Sequence, residues 1–481
     1  MKATSLFGGV QVFQVLIQII RSKFIAVLLG PAGMGIAGLL TNSIGLISGL
    51  TNFGLGVSAV KDVAAANETD DARRISVVVA VFRRLVWITG ALGAIITLVL
   101  SSWLSQLTFG NKNYTLAFVW ISVTLLFNQL ASGQMVLLQG MRKLKYLANA
   151  NLSGATLGLI ITIPIYYFWG IDGIVPVIII TSLISMLVAF YFSSKISVEK
   201  IKVTKEITFS EGKEMLRMGV LLSISGLIAT AASYILRVFI NKTGGVNEVG
   251  LYSAGFTLIS TYVGLVFTAM GTDYYPRLAG IANNSKKAIS MINQQTEIAI
   301  LILAPILTVF MIFVNWVVIL LYSHKFTAIN GMIHWAALGM YFRAISWSIS
   351  YFFIAKGASK IYFWSELGMN IYVLLLNIVG YYFWGLPGLG ISYLIGFVIF
   401  FVQVYVIAKI NYQFSFEKDF IKIMYIQLML GICCFLIAKF IKEPYSWIIG
   451  SITILISSTY SYWELNKRLD FKQLLFTFKR S

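Results

Sequence analysis

Apolar runs of about 20 residues, each long enough for a helix to cross a bilayer core, follow one another from end to end of this chain. A chain built this way has few folds open to it. Only 11% of its 481 residues are charged and 58% are hydrophobic, whereas soluble domains carry about 25% charged residues. Period-2 alternation is not evident, which argues against an outer-membrane barrel. The chain therefore reads as an all-α polytopic membrane protein with fourteen spans: 5–29, 33–57, 76–104, 115–138, 147–168, 172–193, 216–240, 249–272, 291–320, 329–353, 361–383, 387–408, 421–440 and 445–463. The first run is too long for a signal-peptide core and carries Arg21 and Lys23, so it is expected to stay as a span. Cys433 and Cys434 are adjacent in an apolar run, which gives neither a disulfide framework nor metal-ligand spacing. No cofactor is expected.

The net charge of +19 is explained by where it sits. Of 37 Lys and Arg, the N-terminus, the even-numbered loops and the C-terminal tail hold 28, and the odd-numbered loops hold five: Lys112, Lys242, Lys325, Lys439 and Lys442. The remaining four, Arg21, Lys23, Arg237 and Arg343, lie inside spans. This bias places both termini in the cytoplasm and makes the basic balance a topology signal, not a nucleic-acid footprint. Attraction to anionic lipid head groups is a secondary consequence.

Residues 166–170 read YYFWG, and residues 381–385 read YYFWG again, 215 positions later. Other features fall near the same offset. Arg21 precedes Gly35 by 14 residues as Arg237 precedes Gly250 by 13, and the basic loop ending at Lys145 falls on the one ending at Lys360. A unit of six spans is even, so both copies enter from the same side, which makes a parallel repeat. The expected organisation is a six-helix bundle at 1–194, a lysine-rich cytoplasmic linker at 195–215, a second six-helix bundle at 216–409, and a two-helix extension with a cytoplasmic tail at 410–481.

Polar side chains repeat at helical spacing inside the spans. Gln11, Gln14, Gln18 and Arg21 share one face of the first span, and Ser223, Gly226, Thr230, Ser233 and Arg237 share one face of the seventh. Asn42 and Asn52 mark the second span; Glu366, Asn370 and Asn377 mark the eleventh. Polar faces at this depth require protein or water opposite them, and a central Arg costs about 3 kcal/mol on insertion scales. Arg21, Arg237 and Arg343 therefore imply an aqueous, cationic cavity between the bundles. Gln14, Gln18, Asn42, Ser233, Asn370 and Asn377 are further substrate-facing candidates, with helix–helix hydrogen bonding as their alternative. Lys23 lies near the outer end of its span, where it either snorkels or joins the cavity. Asp273, Glu297 and Glu366 sit near cytoplasmic helix ends and are candidates for ion coupling or ion pairing. The YYFW runs read as interface belts, with a sugar platform as the alternative. Fixed guanidinium groups suit an anion, because Arg offers a two-pronged hydrogen bond to phosphate and keeps its charge.

The stretch RSKFIAVLLGPAGMGIAG, the DYYPRLAG loop, NQQTEI at the start of the ninth span and LLYSHKF at its end resemble the O-antigen flippases of the multidrug/oligosaccharidyl-lipid/polysaccharide exporter superfamily. The resemblance covers essentially the whole chain. It implies a bacterial inner-membrane transporter that moves an undecaprenyl-diphosphate-linked oligosaccharide between leaflets by alternating access, with the diphosphate against Arg21, Arg237 and Arg343. It also implies polysaccharide-assembly proteins as partners; the chain is expected to work as a monomer. A small-molecule or multidrug antiporter of the same architecture is the main alternative. A membrane-bound polysaccharide polymerase is a weaker one, because the longest odd-numbered loop has about ten residues and no paired carboxylates lie on that side.

Overall fold

The computed structural model describes residues 2–69, 71–199 and 201–468, with the side chains of 2–8, 221, 222, 262 and 272 excepted. The C-terminal tail with Lys472, Lys479 and Arg480 lies outside the described residues. Among those described, the fold is helical throughout, with no strand. The helices are α1 (Lys2–Leu28), α2 (Gly30–Thr51), α3 (Leu55–Glu68), α4 (Ala72–Val99), α5 (Ser101–Phe109), α6 (Thr115–Gly140), α7 (Leu144–Trp169), α8 (Ile174–Ser193), α9 (Lys205–Gly244), α10 (Val246–Phe256), α11 (Leu265–Ile281), α12 (Ser285–Ile312), α13 (Val314–Leu321), α14 (Asn330–Ala355), α15 (Ser359–Tyr412), α16 (Lys418–Phe440) and α17 (Tyr445–Arg468). A π-helical turn at Thr257–Val263 joins α10 to α11.

Helices satisfy every internal backbone polar group within one segment, which is what hydrocarbon demands. Ten segments among the described residues are long and apolar enough to cross a membrane. Two of them, Leu144–Ser193 with 50 residues and Ser359–Tyr412 with 54, are far longer than one crossing needs. α14 and α17 are also of spanning length, at 26 and 24 residues, but are less apolar. Side chains cap the starts of α4 and α9. Asp71 accepts from the N–H groups of Arg73 and Arg74 at 2.8 and 3.3 Å, and Thr204 accepts from the N–H of Ile207 at 3.3 Å.

The sequence repeat reappears in backbone geometry at the same offset. Gly30 and Gly245, at the α1–α2 and α9–α10 turns, have φ of 66° and 85°. Arg142 and Gly357, after α6 and α14, have φ of 55° and 71°. The two turns also share their hydrogen bonds: Lys143 N to Leu138 O and Ala358 N to Phe353 O, both 2.9 Å. Gly170 and Gly385, which close the two YYFWG copies, have φ/ψ of 54°/−130° and 60°/−141°. Each long segment therefore folds back at its glycine. In both copies the first tyrosine is buried, Tyr166 at 2% and Tyr381 at 7% exposure, while Trp169 and Trp384 are both 59% exposed.

A backbone conformation with positive φ and strongly negative ψ is open to glycine and costs other residues about 1–3 kcal/mol. An added Cβ at Gly170 or Gly385 meets nothing within 4 Å. Gly170→Ala and Gly385→Ala are accordingly expected to destabilise by about 1–2 kcal/mol each, through strain alone. Thermal unfolding in detergent checks this, and equal melting of mutant and parent would refute it.

By packing, the chain divides into two units, 1–253 with Leu321–Ser323, and 254–320 with 324–481. The sequence repeat and the packing units thus divide the chain at different places. α9 and the start of α10 pack with unit 1, where α9 lies against α2, α3, α4 and α5. Close helix approach at small residues explains this. A Cβ on Gly54 or Gly219 would fall 2.0–2.3 Å from the other's backbone region, at Gly219 O and Phe53 O. Residues 205–215 of the polar linker form the first turns of α9. There Glu211 receives a two-pronged ion pair from Arg74 at 2.7 and 2.9 Å, and Thr208 accepts from Arg84 at 3.1 Å. The Arg74 guanidinium holds the Glu211 carboxyl below its ordinary pKa.

In unit 2, α12 packs against α14, α16 and α17. Glu297 of α12 is 4% exposed and accepts from Arg468 Nε at 2.6 Å; Arg468 also bonds Glu464. Removing one partner of a buried pair leaves an uncompensated charge. Arg468→Ala is expected to cost about 2 kcal/mol, below the range for fully buried pairs because Arg468 is partly exposed. The double variant Glu297→Gln/Arg468→Met should regain most of that stability, which a double-mutant cycle of melting temperatures measures.

Candidate functional site

In unit 1 the polar residues of α1 differ in burial. Gln18 is exposed, and Gln14 and Arg21 are half-buried. Arg21 reaches the phenol of Tyr166, the first residue of YYFWG on α7. The two helices pack directly. Tyr166 is therefore an inward member of a motif whose next three residues do fit an interface belt. Sequence spacing gave no sign of that division of labour. Lys23 donates from Nζ to the main-chain oxygen of Tyr322 at 2.7 Å, which ties α1 to the Leu321–Ser323 segment of the same unit.

Asn42 is half-buried and donates to Gly38 O at 2.7 Å within α2. Arg237 of α9 is 7% exposed. Its Nη1 donates to Ser233 Oγ, one turn earlier, and its guanidinium lies over the Tyr252 ring at 5.3 Å. The structure thus brings Ser233 and Arg237 together, but as a covered cation on an aromatic face. Nearby, Tyr234 shares a 2.6 Å hydrogen bond with Thr108, and Asn241 donates to Thr108 O at 2.9 Å, which anchors α9 on α5.

In unit 2, Arg343 sits midway along α14 and is half-buried. Its Nη1 donates to the Tyr393 hydroxyl at 2.9 Å. Its guanidinium lies 5.4 Å from the Phe267 ring centroid and 5.6 Å from that of Phe397. Two aromatic faces and one phenol hold the group without neutralising it. Tyr393, Phe267 and Phe397 carry no pattern in the sequence that would single them out. Asn370 donates to the main-chain oxygen of Glu366 at 2.8 Å, and Asn377 is half-buried on the same helix.

The three acidic candidates differ. Asp273 is exposed and paired with Arg277 at 3.0 Å. Glu297 is buried in the pair with Arg468. Glu366 is half-buried near Tyr362 and Tyr372, and no cation pairs with it among the described residues. Likewise, neither Arg21 nor Arg343 has a carboxylate partner among the described residues. Within each unit, the cation lies beside a phenol: Arg21 beside Tyr166 in unit 1 and Arg343 beside Tyr393 in unit 2, groups whose chemistry suits an anion.

Comparison with known proteins bears on the family and the fold. A family model described as polysaccharide biosynthesis protein matches residues 24–330. The chain belongs to that family. Among curated relatives, the lipid III flippases of Escherichia coli (strain K12) and Shigella flexneri are each 21% identical over 354 residues, covering 72% of this chain and 82% of theirs. In fold, the structure of the lipid II flippase MurJ in an inward closed conformation matches with a TM-score of 0.73 at 15% identity, over 96% of this chain and 99% of that one. The inward-facing structure of a multidrug resistance MATE family transporter of the MOP superfamily matches with a TM-score of 0.72 at 17% identity, over 83% of this chain and 94% of that one. The resemblance read from the sequence is borne out in the family match and in the fold: the chain is helical, with ten segments among the described residues long and apolar enough to cross a membrane, and it shares the fold of those transporters.

Proposed function

We propose that this protein is a flippase for a lipid-linked oligosaccharide, an O-antigen-type unit on undecaprenyl diphosphate. It carries the unit from the cytoplasmic to the periplasmic leaflet of a bacterial inner membrane by alternating access. The carrying observation is that Arg21 and Arg343, each half-buried in a helix of spanning length, have no carboxylate partner among the described residues. A guanidinium in that position is stabilised by an anion, and phosphate oxygens match its fork. The flippase relatives point to the same substrate class.

In this reading the arginines replace the water around the diphosphate, so the head group avoids hydrocarbon while the polyprenyl tail stays in lipid. Arg343, pre-oriented by Tyr393 and two rings, and Arg21 take the principal roles; Lys23, Arg237, Gln14, Gln18, Asn42, Ser233, Asn370 and Asn377 contribute polarity. With Asp273 and Glu297 engaged in ion pairs, Glu366 is the acid left for ion coupling. The reading includes fourteen crossings, as two six-crossing repeats plus α16 and α17, with both termini cytoplasmic. Deletion of the gene followed by analysis of lipid-linked intermediates tests the function. One lipid-linked oligosaccharide should accumulate on the inner leaflet; unchanged intermediates and unchanged surface glycan would overturn it. The MATE likeness supports a second reading, an antiporter of small molecules, which predicts altered drug susceptibility with normal glycan.

A further inference from the structure

Four arginines lie on the N-terminal part of α4 or just before its middle: Arg73, Arg74, Arg83 and Arg84. The neighbours of two are already described: Arg74 pairs with Glu211 and Arg84 donates to Thr208. Arg83 differs. It is half-buried, and among the described residues its guanidinium has neither a carboxylate nor a hydrogen-bond partner. It lines a cavity of about 380 Å³ in unit 1, shared by α4, α6, α8 and the chain just after α8. A positive charge drawn from water without an opposite charge is unfavourable, so the cavity is built for something that supplies one.

The remaining lining fits a phosphate ester with an acyl tail. Gln134 of α6 is 4% exposed; its Oε1 accepts from Ser193 Oγ at 2.8 Å, and its amide N–H groups have no acceptor among the described residues. Trp87, one turn beyond Arg83 and 53% exposed, and Phe190 form an apolar wall that continues onto the outer surface of the unit. Depth agrees as well. Arg83 lies 16 residues before the end of α4 at Val99, or about 24 Å along the axis. It therefore sits near the edge of a hydrocarbon layer about 30 Å thick, at the end of α4 where basic residues collect.

We propose that this cavity is a binding site for the phosphate head group of an acidic membrane phospholipid in the leaflet on the Arg73–Arg84 side. Arg83 grips the phosphate, the Gln134 amide donates to it, and Trp87 and Phe190 carry the first part of an acyl chain. The site is separate from the residues assigned to cargo and does not depend on the flippase reading.

Native mass spectrometry of the full-length protein in detergent, titrated with phosphatidylglycerol, phosphatidylcholine or inorganic phosphate, tests the assignment. The parent should retain phosphatidylglycerol in preference to phosphatidylcholine. Arg83→Gln should weaken that retention about tenfold, the scale of a lost charge-assisted pair. Gln134→Leu should weaken it about threefold, and Arg84→Gln should leave it unchanged. If Arg83→Gln does not yield folded protein, Arg83→Lys, which keeps charge but not the fork, should bind about threefold more weakly than the parent. Retention undiminished from the parent's in Gln134→Leu and in the Arg83 variant measured, equal retention of both lipids by the parent, or binding of inorganic phosphate without phosphatidylglycerol would each overturn the proposal.

Discussion

Gly250→Ala is expected to prevent recovery of monodisperse protein, and Gly35→Ala to come close to doing so. A Cβ on Gly250 would stand 1.9 Å from Pro31 O, and a Cβ on Gly35 would stand 2.0 Å from Val246 O. Pro31 and Val246 are themselves related by the 215-residue offset, as are Gly35 and Gly250. The starts of α2 and α10 therefore pack on each other through a reciprocal contact, each glycine against the backbone of the other helix, as at a two-fold interface. Both obstacles are main-chain oxygens, so relief requires moving a helix rather than a rotamer. The cost should be about 3 kcal/mol or more per site, the upper part of the overpacking range. Gly45→Ala on α2 and Gly226→Ala on α9 are the controls, because a Cβ there meets nothing within 4 Å. Both should be neutral or stabilising by about 0.5–1 kcal/mol, since alanine loses less entropy in a helix. Melting curves that put Gly250→Ala level with Gly226→Ala would remove the reciprocal contact from consideration.

Arg343→Ala should lower surface glycan display by at least about tenfold at matched protein level, the scale of a lost charge-assisted contact to phosphate. Arg21→Ala should act similarly, and the double variant should be close to inactive. Arg343→Lys is expected to be intermediate, since lysine keeps the charge but not the planar fork or the fit between two rings. The aromatic partners sharpen the test. Tyr393→Phe removes the 2.9 Å hydrogen bond but leaves the rings, so it should reduce display by only about threefold. Arg237→Ala is expected to affect yield as well as activity, because Arg237 packs on Tyr252 and is covered. Normal display in Arg21→Ala and Arg343→Ala alike would end the idea that these cations meet the cargo.

Much of the architecture was legible because lipid simplifies the physics. Hydrophobic length sets the helices, ten of which among the described residues are long and apolar enough to cross a membrane. The YYFWG repeat predicted two equivalent turns, and the paired φ/ψ values of Gly170 and Gly385 show them. The candidate site was legible only in part. Stripe spacing found Arg21 and Arg237, and scarcity of charge within spans found Arg343. Spacing cannot tell which cation will be covered. Arg237 is closed in by Tyr252, whereas Arg21 and Arg343 remain half-open; that difference comes from rings on other helices, 15 to 145 positions away in sequence. The acids separated for the same reason: Glu297 finds Arg468, 171 residues later, and Glu366 finds no cation among the described residues.

By itself, the sequence determined the helical membrane class, the repeat and which polar and charged residue types lie within the apolar segments, because these follow from local period, length and composition. The tertiary structure decided where the packing units divide, that residues 205–215 join α9 as helix, and which polar groups are partnered. Those outcomes depend on close approach between distant segments, at Gly35 against Val246 and Gly250 against Pro31. No local pattern encodes a distance across the fold.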